Sequence, residues 1–254
     1  MYGLNENIEN LYKMKIAVIT PYYKESTEVL RKCHDSVLSQ NVSADHFFIA
    51  DGFPNEEIIK WDIKHISLSQ SHDDNGNTPR GIGSILADKA GYDFIAYLDA
   101  DNWFHPHHLS SLLNLYQETK AEVCASFRTF HIDDGTEIYI EEPDDLSLAH
   151  IDTSCFFLHR GAFNAIDIWL KMPKQLSPIC DRVFLLGLRH KMFKILSTKQ
   201  KTLAFRSQYY FHYERAKIPP PLESKKNIDK APYEWLSTVD GVKETVARLG
   251  FIPV

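Results

Sequence analysis

The sequence lacks any apolar run that approaches the ~18 residues needed to span a bilayer. Its first stretch, Met1 to Lys13, is polar and has no hydrophobic segment of the kind found in secretory signal peptides. Basic residues are also scarce, since 28 Lys and Arg stand against 34 Asp and Glu and the net charge is −6. That balance argues against nucleic-acid binding, because contacts with phosphates require a basic surface. We therefore expect a cytoplasmic protein, soluble or peripheral to a membrane, with no integral membrane segment and no nucleic-acid partner.

Cysteine is sparse, and no two cysteines form a C-x-x-C pair. The four are Cys33, Cys124, Cys155 and Cys180. Three of them lie in or beside apolar stretches, which favours buried free thiols. Such thiols fit the reducing conditions of the cytosol.

Glycine-rich loops are missing where a dinucleotide or a triphosphate would be held. The first apolar segment is followed by Pro21-Tyr22-Tyr23-Lys24-Glu25, which contains no glycine. A dinucleotide-binding dehydrogenase would carry G-x-G-x-x-G at this point, so that class is excluded. A sugar nucleotidyltransferase would carry a Gly-rich loop with Arg and Lys, and it therefore becomes a weak alternative.

Short apolar segments alternate with helical patterns in the first half of the chain. Strands are predicted at 15–20, ended by Pro21, and at 46–50, 64–68 and 94–98. Helices are predicted from a cap at Thr27 to Leu38 and over about 81–90, with a loop at 73–79. This alternation predicts βαβ units and a mainly parallel sheet with helices on both faces.

The pattern is less regular after Trp103. Further strands are predicted at 122–127, 155–158 and 194–196. Further helices are predicted with Pro106 in a first turn, at 161–170, from Asp181 to Leu188 and at 241–249. Residues 132–145 are polar and indicate a hairpin or a loop, and Pro219-Pro220-Pro221 begins a stiff connector.

Two carboxylates follow a predicted buried strand, Phe94 to Leu98. Asp99 and Asp101 are separated by Ala100, and side chains at i and i+2 of an extended backbone point to the same face. Hard oxygen donors at this spacing suit Mg²⁺ or Mn²⁺, which proteins hold with one or two carboxylates plus substrate phosphates. The segment therefore predicts a metal site for a diphosphate. The alternative is a solvated turn, because Asp and Asn favour turns.

Several short motifs occur in the order typical of one enzyme family. They are Ile19–Tyr23, Ala50–Gly52, Leu98–Asp101, Asp152–Phe157, Cys180–Arg182 leading into Gly187, and a late His212. In their order, spacing and strand-end placement, the chain resembles a family 2 glycosyltransferase with the nucleotide-sugar transferase fold called GT-A. The resemblance covers roughly residues 14 to 215. It implies an α/β fold: a single GT-A domain with a mainly parallel nucleotide-binding sheet flanked by helices, fused to a smaller mixed acceptor-side region.

The resemblance also divides the chain by function. Residues 1–13 are an N-terminal extension, and 14–125 are the half that binds the nucleotide sugar. Residues 126–215 form the acceptor-binding and catalytic half, and 216–254 form a C-terminal tail. We expect one GT-A domain over 14–215.

A set of residues is expected to bind the nucleotide sugar. It comprises Thr20, Pro21, Tyr22, Asp51, Arg80, Asp99 and Ala100. Tyr22 can stack on a base, Asp51 can accept hydrogen bonds from a base or ribose, and Arg80 matches a phosphate or a uracil-like edge. The alternatives are a core tyrosine, turn chemistry before Gly52 and a surface arginine. The family often has two consecutive acids where this chain has Asp51 followed by Gly52.

The resemblance implies Mn²⁺ or Mg²⁺ as cofactor. Asp101 would bind the ion directly, and Asp99 would contact the ribose or a metal-bound water. His212 resembles a late histidine that some members use as a further ligand, and its alternative is a packed residue among aromatics. A separate zinc cluster of His105, His107 and His108 is a further alternative.

Asp181 is the expected general base, at the start of a helix. The family usually has an acid pair here and uses its second member as base, whereas this chain has Cys180 at the first position. Helix capping is the alternative reading of Asp181. Asp152 is the competing base, and Thr153 beside it is expected to line the acceptor side.

These expectations describe a metal-dependent inverting glycosyltransferase of polysaccharide biosynthesis. It would move a sugar from a nucleoside diphosphate sugar, with a UDP-sugar as the first expectation, to a hydroxyl acceptor that is a glycan. A non-catalytic sugar-nucleotide-binding protein of the same fold is the second hypothesis, and Cys180 is the feature that favours it. The sequence leaves a homo-oligomer open.

Overall fold

A computed structural model describes residues 14–140, 147–226 and 229–253. The extension 1–13 and part of the predicted hairpin, 141–146, lie outside the described residues. The strands are β1 Ile16–Tyr22, β2 Asp45–Ala50, β3 Lys64–Ser67, β4 Phe94–Tyr97, β5 Trp103–Phe104, β6 Val123–His131, β7 Glu137–Ile138, β8 Phe156–His159 and β9 Ile195–Arg206. The helices are α1 Thr27–Leu38, α2 Asn77–Lys89, α3 His108–Thr119, α4 Ile168–Lys171, α5 Cys180–His190, α6 Tyr210–Ala216, α7 Ala231–Leu236 and α8 Val239–Leu249.

All described strands belong to a single sheet. Its order is β3-β2-β1-β4-β8-β6-β9-β5, and β7 pairs with β6. Strands β1 to β4 run parallel to one another, as the sequence predicts for its first half. Strand β8 runs antiparallel to β4 and to β6, which makes the second half mixed. The α/β prediction is therefore confirmed, and β8 joins the two halves by backbone hydrogen bonds.

The parallel strands are apolar because helices cover them. Every residue of β1 and β4 is buried, in accordance with a sheet enclosed on both faces. Helix α2 lies directly on β1 and β2 at Gly83, where a Cβ atom would stand 2.7 Å from Cγ2 of Ile19 and 3.0 Å from Cγ1 of Ile49. This close approach places the first turn of α2, with Arg80, near the carboxyl ends of the strands.

Pro21 does not end the first strand, contrary to the prediction. Strand β1 continues to Tyr22, which is paired with Ala50 of β2. Strand β4 pairs with β1 only as far as Ile19, so Pro21 lies beyond the hydrogen-bond ladder on that side. A residue without an N–H is therefore tolerated there.

Two helix starts also differ from prediction. Helix α1 is capped by Ser26, whose Oγ accepts from the N–H of Val29, rather than by Thr27. Helix α2 begins at Asn77 and includes Pro79, so the loop is shorter than 73–79. Asp74 explains this start, because its Oδ2 accepts hydrogen bonds from both the N–H and the hydroxyl of Thr78.

The second half shows the larger differences. Helix α3 begins at His108, after Pro106, and residues 160–165 form a 3₁₀ segment before the short α4 in place of one helix over 161–170. Strand β9 is twelve residues long where three were predicted, because its polar middle, 197–201, is partly exposed while it pairs along β6. Residues 132–136 form the turn of a β6–β7 hairpin, one of the two predicted alternatives.

The C-terminal helices pack on the second half. Gly187 of α5 packs closely against Phe251. A Cβ atom added at this glycine would lie 3.0 Å from the phenyl ring. Arg248 of α8 donates to the carbonyl oxygen of Lys171 at 2.8 Å. None of the helices within the described ranges combines the length and the apolar character required to cross a membrane.

Candidate active site

The turn after β4 carries the two predicted metal-binding carboxylates. The N–H of Asn102 donates to the carbonyl of Asp99 at 3.0 Å, which closes the turn. The hydroxyl oxygen of Ser154 accepts from the N–H of Asp99 at 3.0 Å and from Nδ2 of Asn102 at 3.1 Å. Ser154 follows Asp152 and Thr153, so these hydrogen bonds place the expected acceptor-side segment beside the acidic turn.

The two carboxylates of this turn have different partners. Oδ1 of Asp99 accepts from Nη2 of Arg80 at 2.8 Å. Oδ2 of Asp101 accepts from Nε2 of Gln208, a neutral donor, at 2.8 Å. Burial and the negative charge of Asp99 together raise the pKa of Asp101 to about 7. A second positive charge near Asp101 would therefore stabilise the turn.

The donor chemistry of the turn fits a hard divalent cation. Both side chains offer oxygen, the ligand atom that Mg²⁺ and Mn²⁺ prefer. Across the described residues there is no group of three or more His, Cys, Asp or Glu side chains that could hold a metal ion. The protein would thus supply two carboxylates, Asp99 and Asp101, and leave the other ligand positions to a diphosphate and to water.

Arg80 is buried, so the surface-arginine alternative is wrong. Its side chain is 2% exposed and is held by Oδ1 of Asn77 at 3.2 Å, in addition to Asp99. Its guanidinium lies 4.8 Å from the ring of Trp169. Helix α2 therefore brings Arg80 and the acidic turn together, as a shared diphosphate site requires.

Thr20 and Tyr22 point into the core, which differs from the expectation that they contact a nucleotide. Oγ1 of Thr20 lies 2.8 Å from Nε2 of His46, and the residue is fully buried. Tyr22 is 3% exposed, and its hydroxyl oxygen lies 2.7 Å from Nε2 of His65 and accepts from the N–H of Asn55. The core-tyrosine alternative therefore describes Tyr22, because its ring packs against Phe48 of β2 and its hydroxyl contacts His65 of β3.

Three other residues that were predicted to bind the nucleotide sugar are also largely buried. Asp51 is 5% exposed and accepts hydrogen bonds from the N–H and Nδ1 of His72 and from the hydroxyl of Ser71. Its carboxylate thus fixes the loop at 71–72 rather than the turn at Gly52. Pro21 and Ala100 are buried between the strand ends.

An exposed pair of aromatic side chains lies just beyond the carboxyl ends of β1 and β2, and the sequence analysis did not single it out. Tyr23 follows β1 and Phe53 follows β2, and they are 41% and 43% exposed. Their ring centroids are 4.8 Å apart, and Nζ of Lys24 lies 4.2 Å from the Phe53 ring. A strand that ends at Tyr22 rather than at Thr20 turns Tyr23, and not Tyr22, outward.

Asp181 occupies the first turn of α5 and is paired with His150. Nε2 of His150 lies 2.6 Å from Oδ2 of Asp181, and the N–H of Arg182 donates to Oδ1 at 2.7 Å. Burial favours the neutral acid, but the hydrogen bond and charge of His150 outweigh it and lower the pKa of Asp181. Burial raises the pKa of the neighbouring Cys180 thiol to about 12, so Cys180 supplies no acid or base near neutral pH.

Asp152, the competing base, is engaged by the fold. Nη1 of Arg128 on β6 lies 2.5 Å from its Oδ2. Its Oδ1 accepts from the N–H of Ser154 at 3.0 Å and caps the 3₁₀ turn at 153–155, in which Thr153 is buried. Burial raises the pKa of Asp152 although Arg128 opposes that shift. The raised pKa would make Asp152 the stronger base of the two, but both of its oxygens are held within the fold, by Arg128 and by the 3₁₀ turn.

Residues 207–209, here called the strap, connect the two acidic regions. Gln208 donates to Asp101, and the pKa of Tyr209 is raised by burial and then by the charges of Asp181 and Asp152. The strap is fixed by backbone hydrogen bonds, from Ser207 to His131 at 2.8 Å and from Lys225 to Gln208 at 2.7 Å. The charge of Asp99 also acts on Asp152 and on Cys180, so the acidic turn and the start of α5 lie close together.

His212 does not join the two aspartates. It is 4% exposed, and its Nδ1 lies 2.7 Å from the hydroxyl oxygen of Ser207. Its ring packs against Phe130 with a centroid separation of 4.6 Å. The predicted metal ligand is therefore a packed histidine, because α6 turns its side chain beneath the strap.

The three clustered histidines also serve the fold. Nδ1 of His108 lies 2.9 Å from Oγ1 of Thr202, and Nε2 of His105 lies 2.9 Å from Oγ1 of Thr129. His107 lies 3.0 Å from Nδ2 of Asn41 at the surface. Since each contacts a different element, the zinc alternative has no support among the described residues.

Sequence reasoning missed His150, Arg128 and Gln208. Each lies far along the chain from its carboxylate partner, by 31, 24 and 107 residues respectively. His150 and Gln208 lie outside the helices and strands, and Arg128 is an isolated charged residue of β6, so no periodicity marks any of them. Only the placement of β6, α5 and the strap reveals these pairs.

Comparison with known proteins yields a family and a fold. A model described as glycosyl transferase family 2 matches residues 17–157. The succinoglycan biosynthesis protein ExoW of Rhizobium meliloti (strain 1021) is 28% identical over 112 residues, which cover 41% of this chain and 33% of ExoW. The chain thus spans about a third of the length of this curated relative.

Among solved structures, the chain is similar to TarS of S. aureus. A crystal structure of TarS 1–349 in complex with UDP has a TM-score of 0.59 at 13% identity and covers 93% of this chain and 71% of that one. The UDP-GlcNAc complex has a TM-score of 0.55 at 10% identity, with coverages of 92% and 73%. A further TarS structure, with a TM-score of 0.58 at 15% identity, covers 79% of this chain and 38% of its own. At these identities the likeness shows the fold: an α/β, GT-A-like arrangement.

Proposed function

The chain belongs to glycosyl transferase family 2, and from this premise we propose that it is a metal-dependent, inverting glycosyltransferase. It transfers a sugar from a nucleoside diphosphate sugar to a hydroxyl acceptor. The observation that carries the proposal is the strap, in which Gln208 donates to Asp101 and Tyr209 lies within reach of the charges of Asp181 and Asp152. A metal-binding turn and a carboxylate base on the two sides of one cleft are what such a transfer requires.

The donor in this proposal is a UDP-sugar. TarS chains have been crystallised with UDP and with UDP-GlcNAc, and they share this fold. We assign donor binding to the edge formed by the ends of β1, β2 and β4, with Arg80 and Asp51 as its polar groups. The exposed rings of Tyr23 and Phe53 offer a stacking surface at this edge, where a stacked base is typically worth ~1–3 kcal/mol.

Asp101 and Asp99 would hold the cation. When bound, Mn²⁺ or Mg²⁺ supplies positive charge to the diphosphate and stabilises it as a leaving group. Arg80 already offsets the charge of Asp99, so a bound cation would stabilise the negative charge of Asp101 more than that of Asp99. The raised pKa of Asp101 is consistent with that assignment.

Asp181 is the proposed general base. Its carboxylate takes the proton of the acceptor hydroxyl while that oxygen bonds to the anomeric carbon from the face opposite the diphosphate. The bond from that carbon to the diphosphate oxygen breaks, and its electron pair leaves with the nucleoside diphosphate. The configuration at the carbon is inverted, and the proton later passes from Asp181 to solvent. Proton transfer of this kind typically contributes ~10²–10⁴ in rate.

The parts of the chain are assigned accordingly. Residues 14–125 bind the nucleotide sugar, 126–215 bind the acceptor and carry the base, and 216–254 form a tail. A glycan acceptor in polysaccharide synthesis is our proposal because ExoW is named as a succinoglycan biosynthesis protein. Association of identical chains is open in this proposal.

The test combines two substitutions with a matched surface control. Asp101→Ala is expected to abolish the Mn²⁺-dependent part of UDP binding measured by calorimetry. Asp181→Asn is expected to preserve UDP binding and to reduce sugar transfer by about 10²-fold or more. The exposed Asp62→Asn should change neither quantity. Unchanged turnover in Asp181→Asn would remove Asp181 as the base.

A non-catalytic sugar-nucleotide-binding protein is the second candidate. The observation that favours it is Cys180, which stands where the family usually has the first acid of a pair and whose thiol stays protonated. Tight UDP binding without donor hydrolysis or transfer, over a panel of UDP-, GDP- and dTDP-sugars with Mn²⁺, would support this candidate.

A further inference from the structure

His150 lies directly against the proposed base. Its Nε2 is 2.6 Å from Oδ2 of Asp181, and the two side chains are 16% and 22% exposed. The N–H of Arg182 donates to the other oxygen, Oδ1. With a donor on each oxygen, rotation of the carboxylate about its Cβ–Cγ bond is restricted.

We propose that His150 is a positioning residue that fixes the carboxylate of Asp181 in its orientation and maintains it as an anion, a proposal that rests on the function given above. General base catalysis requires the base within hydrogen-bond reach of the proton that it removes. A carboxylate free to rotate would spend only part of its time in that geometry. The hydrogen bonds from Nε2 to Oδ2 and from Arg182 to Oδ1 together remove this freedom, and each carboxylate oxygen keeps a further lone pair that can accept a hydrogen bond from the acceptor hydroxyl.

The surrounding charges support the pairing. Two cationic and two anionic groups come together in this region: Arg128, His150, Asp152 and Asp181. Arg128 is already paired with Asp152, so His150 is the partner that remains for Asp181 among these four. Tyr209 on the strap and the thiol of Cys180 complete the titratable neighbours.

The pKa shifts of His150 and Asp181 also support their pairing. Burial disfavours the imidazolium ion, but the hydrogen bond to Asp181 and the charge of that residue outweigh burial and raise the pKa of His150. Arg128 opposes this shift and Asp152 assists it. The same contact lowers the pKa of Asp181, so each partner favours the charged form of the other.

The imidazole is not needed to hold its own segment in place. Nη2 of Arg189 donates to the carbonyl oxygen of Leu148 at 2.5 Å, and the side chain of Ile151 is 4% exposed in the core. Both contacts anchor the backbone on either side of His150. We therefore expect His150 variants to fold and to keep this segment in position.

The experiment compares His150→Phe and His150→Gln with the exposed control His107→Gln. Transfer is followed by UDP release between pH 5 and pH 9, and UDP affinity by calorimetry. His150→Phe should lower kcat by about 10²-fold, while KM for the donor and the affinity for UDP change less than about twofold. His150→Gln, whose amide can donate to Asp181, should recover kcat to within about tenfold of the wild type. The control should match the wild type.

The pH profile distinguishes positioning from mere packing. Without the imidazolium, burial of Asp181 is opposed by the N–H of Arg182 and the charge of Arg128 but no longer by His150, so the pKa of Asp181 rises above its wild-type value and a higher pH is needed to ionise it. The acidic limb of kcat should therefore move to higher pH in both His150 variants, including the Gln variant with recovered kcat. A packing role would leave the limb in place.

A readout that does not depend on activity completes the test. The pKa of His150, measured by NMR of ¹⁵N-labelled histidine, should lie above 6.5 in the wild type and fall below it in Asp181→Asn, where burial acts without the carboxylate. If both His150 variants kept the wild-type kcat and the acidic limb of their pH profiles did not move, the proposal for His150 would be overturned. Inactivity of Asp181→Asn in the same assay would leave the proposed function standing. Full transfer by Asp181→Asn would overturn the proposed function and this inference with it.

Discussion

Arg80 and Asp99 show how single residues define the acidic turn. The guanidinium is 2% exposed, whereas the carboxylate is 34% exposed at the edge of the cleft. A buried positive charge is thus joined to a negative charge that solvent or a ligand can reach. The ion pair fixes the orientation of Asp99, and it leaves Asp101 as the carboxylate without a cationic hydrogen-bond partner at the turn.

Arg80→Ala is predicted to destabilise the protein by about 2 kcal/mol. Removing one partner of a fully buried ion pair typically costs 3–5 kcal/mol, and the partial exposure of Asp99 reduces that figure. Mn²⁺ should raise the melting temperature of this variant more than that of the wild type, because a cation at the turn replaces the lost charge. Urea unfolding and thermal shift measure both effects.

Arg160→Ala is the matched control for this variant. Arg160 pairs with Asp93 at 3.3 Å, but its side chain is 55% exposed. Exposed ion pairs contribute about 0–1 kcal/mol, so this control should unfold close to the wild-type urea midpoint. An equal loss of stability in both variants would contradict the importance assigned to the Arg80–Asp99 contact.

At the scale of elements, the strap links the acidic turn, through Gln208, to the neighbourhood of Asp181, through Tyr209. Gln208 donates to the oxygen of Asp101 that a cation would approach, and its own backbone oxygen accepts from the N–H of Lys225. The amide therefore competes with a cation for Oδ2. The main chain of the strap is fixed independently of that contact.

Gln208→Ala is predicted to strengthen cation binding about threefold to tenfold, measured by calorimetry of Mn²⁺ in the presence of UDP. The reason is that removal of a neutral hydrogen bond worth ~0.5–1.5 kcal/mol removes the competition at Asp101. The exposed Gln175→Ala is the control and should leave the affinity unchanged. Weaker binding in Gln208→Ala would mean that the amide orients Asp101 for the ion.

The strands also show which parts of the fold could be predicted from the sequence. The apolar segments of β1, β2 and β4 and the Asp99–Asp101 turn were predictable, because burial on both faces and a carboxylate pair leave local patterns. Only the start of strand β9 was predicted, at 194–196, since the exposed polar residues that follow resemble a loop until β6 is known to pair with them. The inward orientation of Tyr22 depends on where β1 ends, which is set by its pairing with Ala50.

The whole molecule contains a buried histidine pair that links its stability to pH. Nδ1 of His34, on α1, lies 3.0 Å from Nδ1 of His46, on β2, and both residues are buried between the helix and the strand. Burial lowers the pKa of each, and for His46 the nearby His34 acts in the same direction. The folded protein therefore keeps both rings neutral under conditions in which the unfolded chain protonates them.

The contribution of His34 and His46 to stability is predicted to be fully present above about pH 6.5 and to decline as the pH falls below it. In that range the unfolded state binds more protons than the folded state, and each group contributes up to about 1.4 kcal/mol per pH unit. Urea unfolding at pH 7.5 and pH 5.5 measures the decline. His46→Gln, which retains hydrogen-bonding groups toward Thr20 and His34, should reduce it, and the exposed His107→Gln should not.

The continuous sheet has a consequence for how substrates reach the cleft. Strand β8 is hydrogen-bonded to β4 on one side and to β6 on the other, so a single continuous sheet, the floor of the site, lies beneath both proposed binding regions. A hinge motion between the regions would have to break those backbone hydrogen bonds. Entry and exit must instead depend on surface segments that lie over the floor, and the rate of product departure should follow their mobility rather than any rotation of rigid lobes.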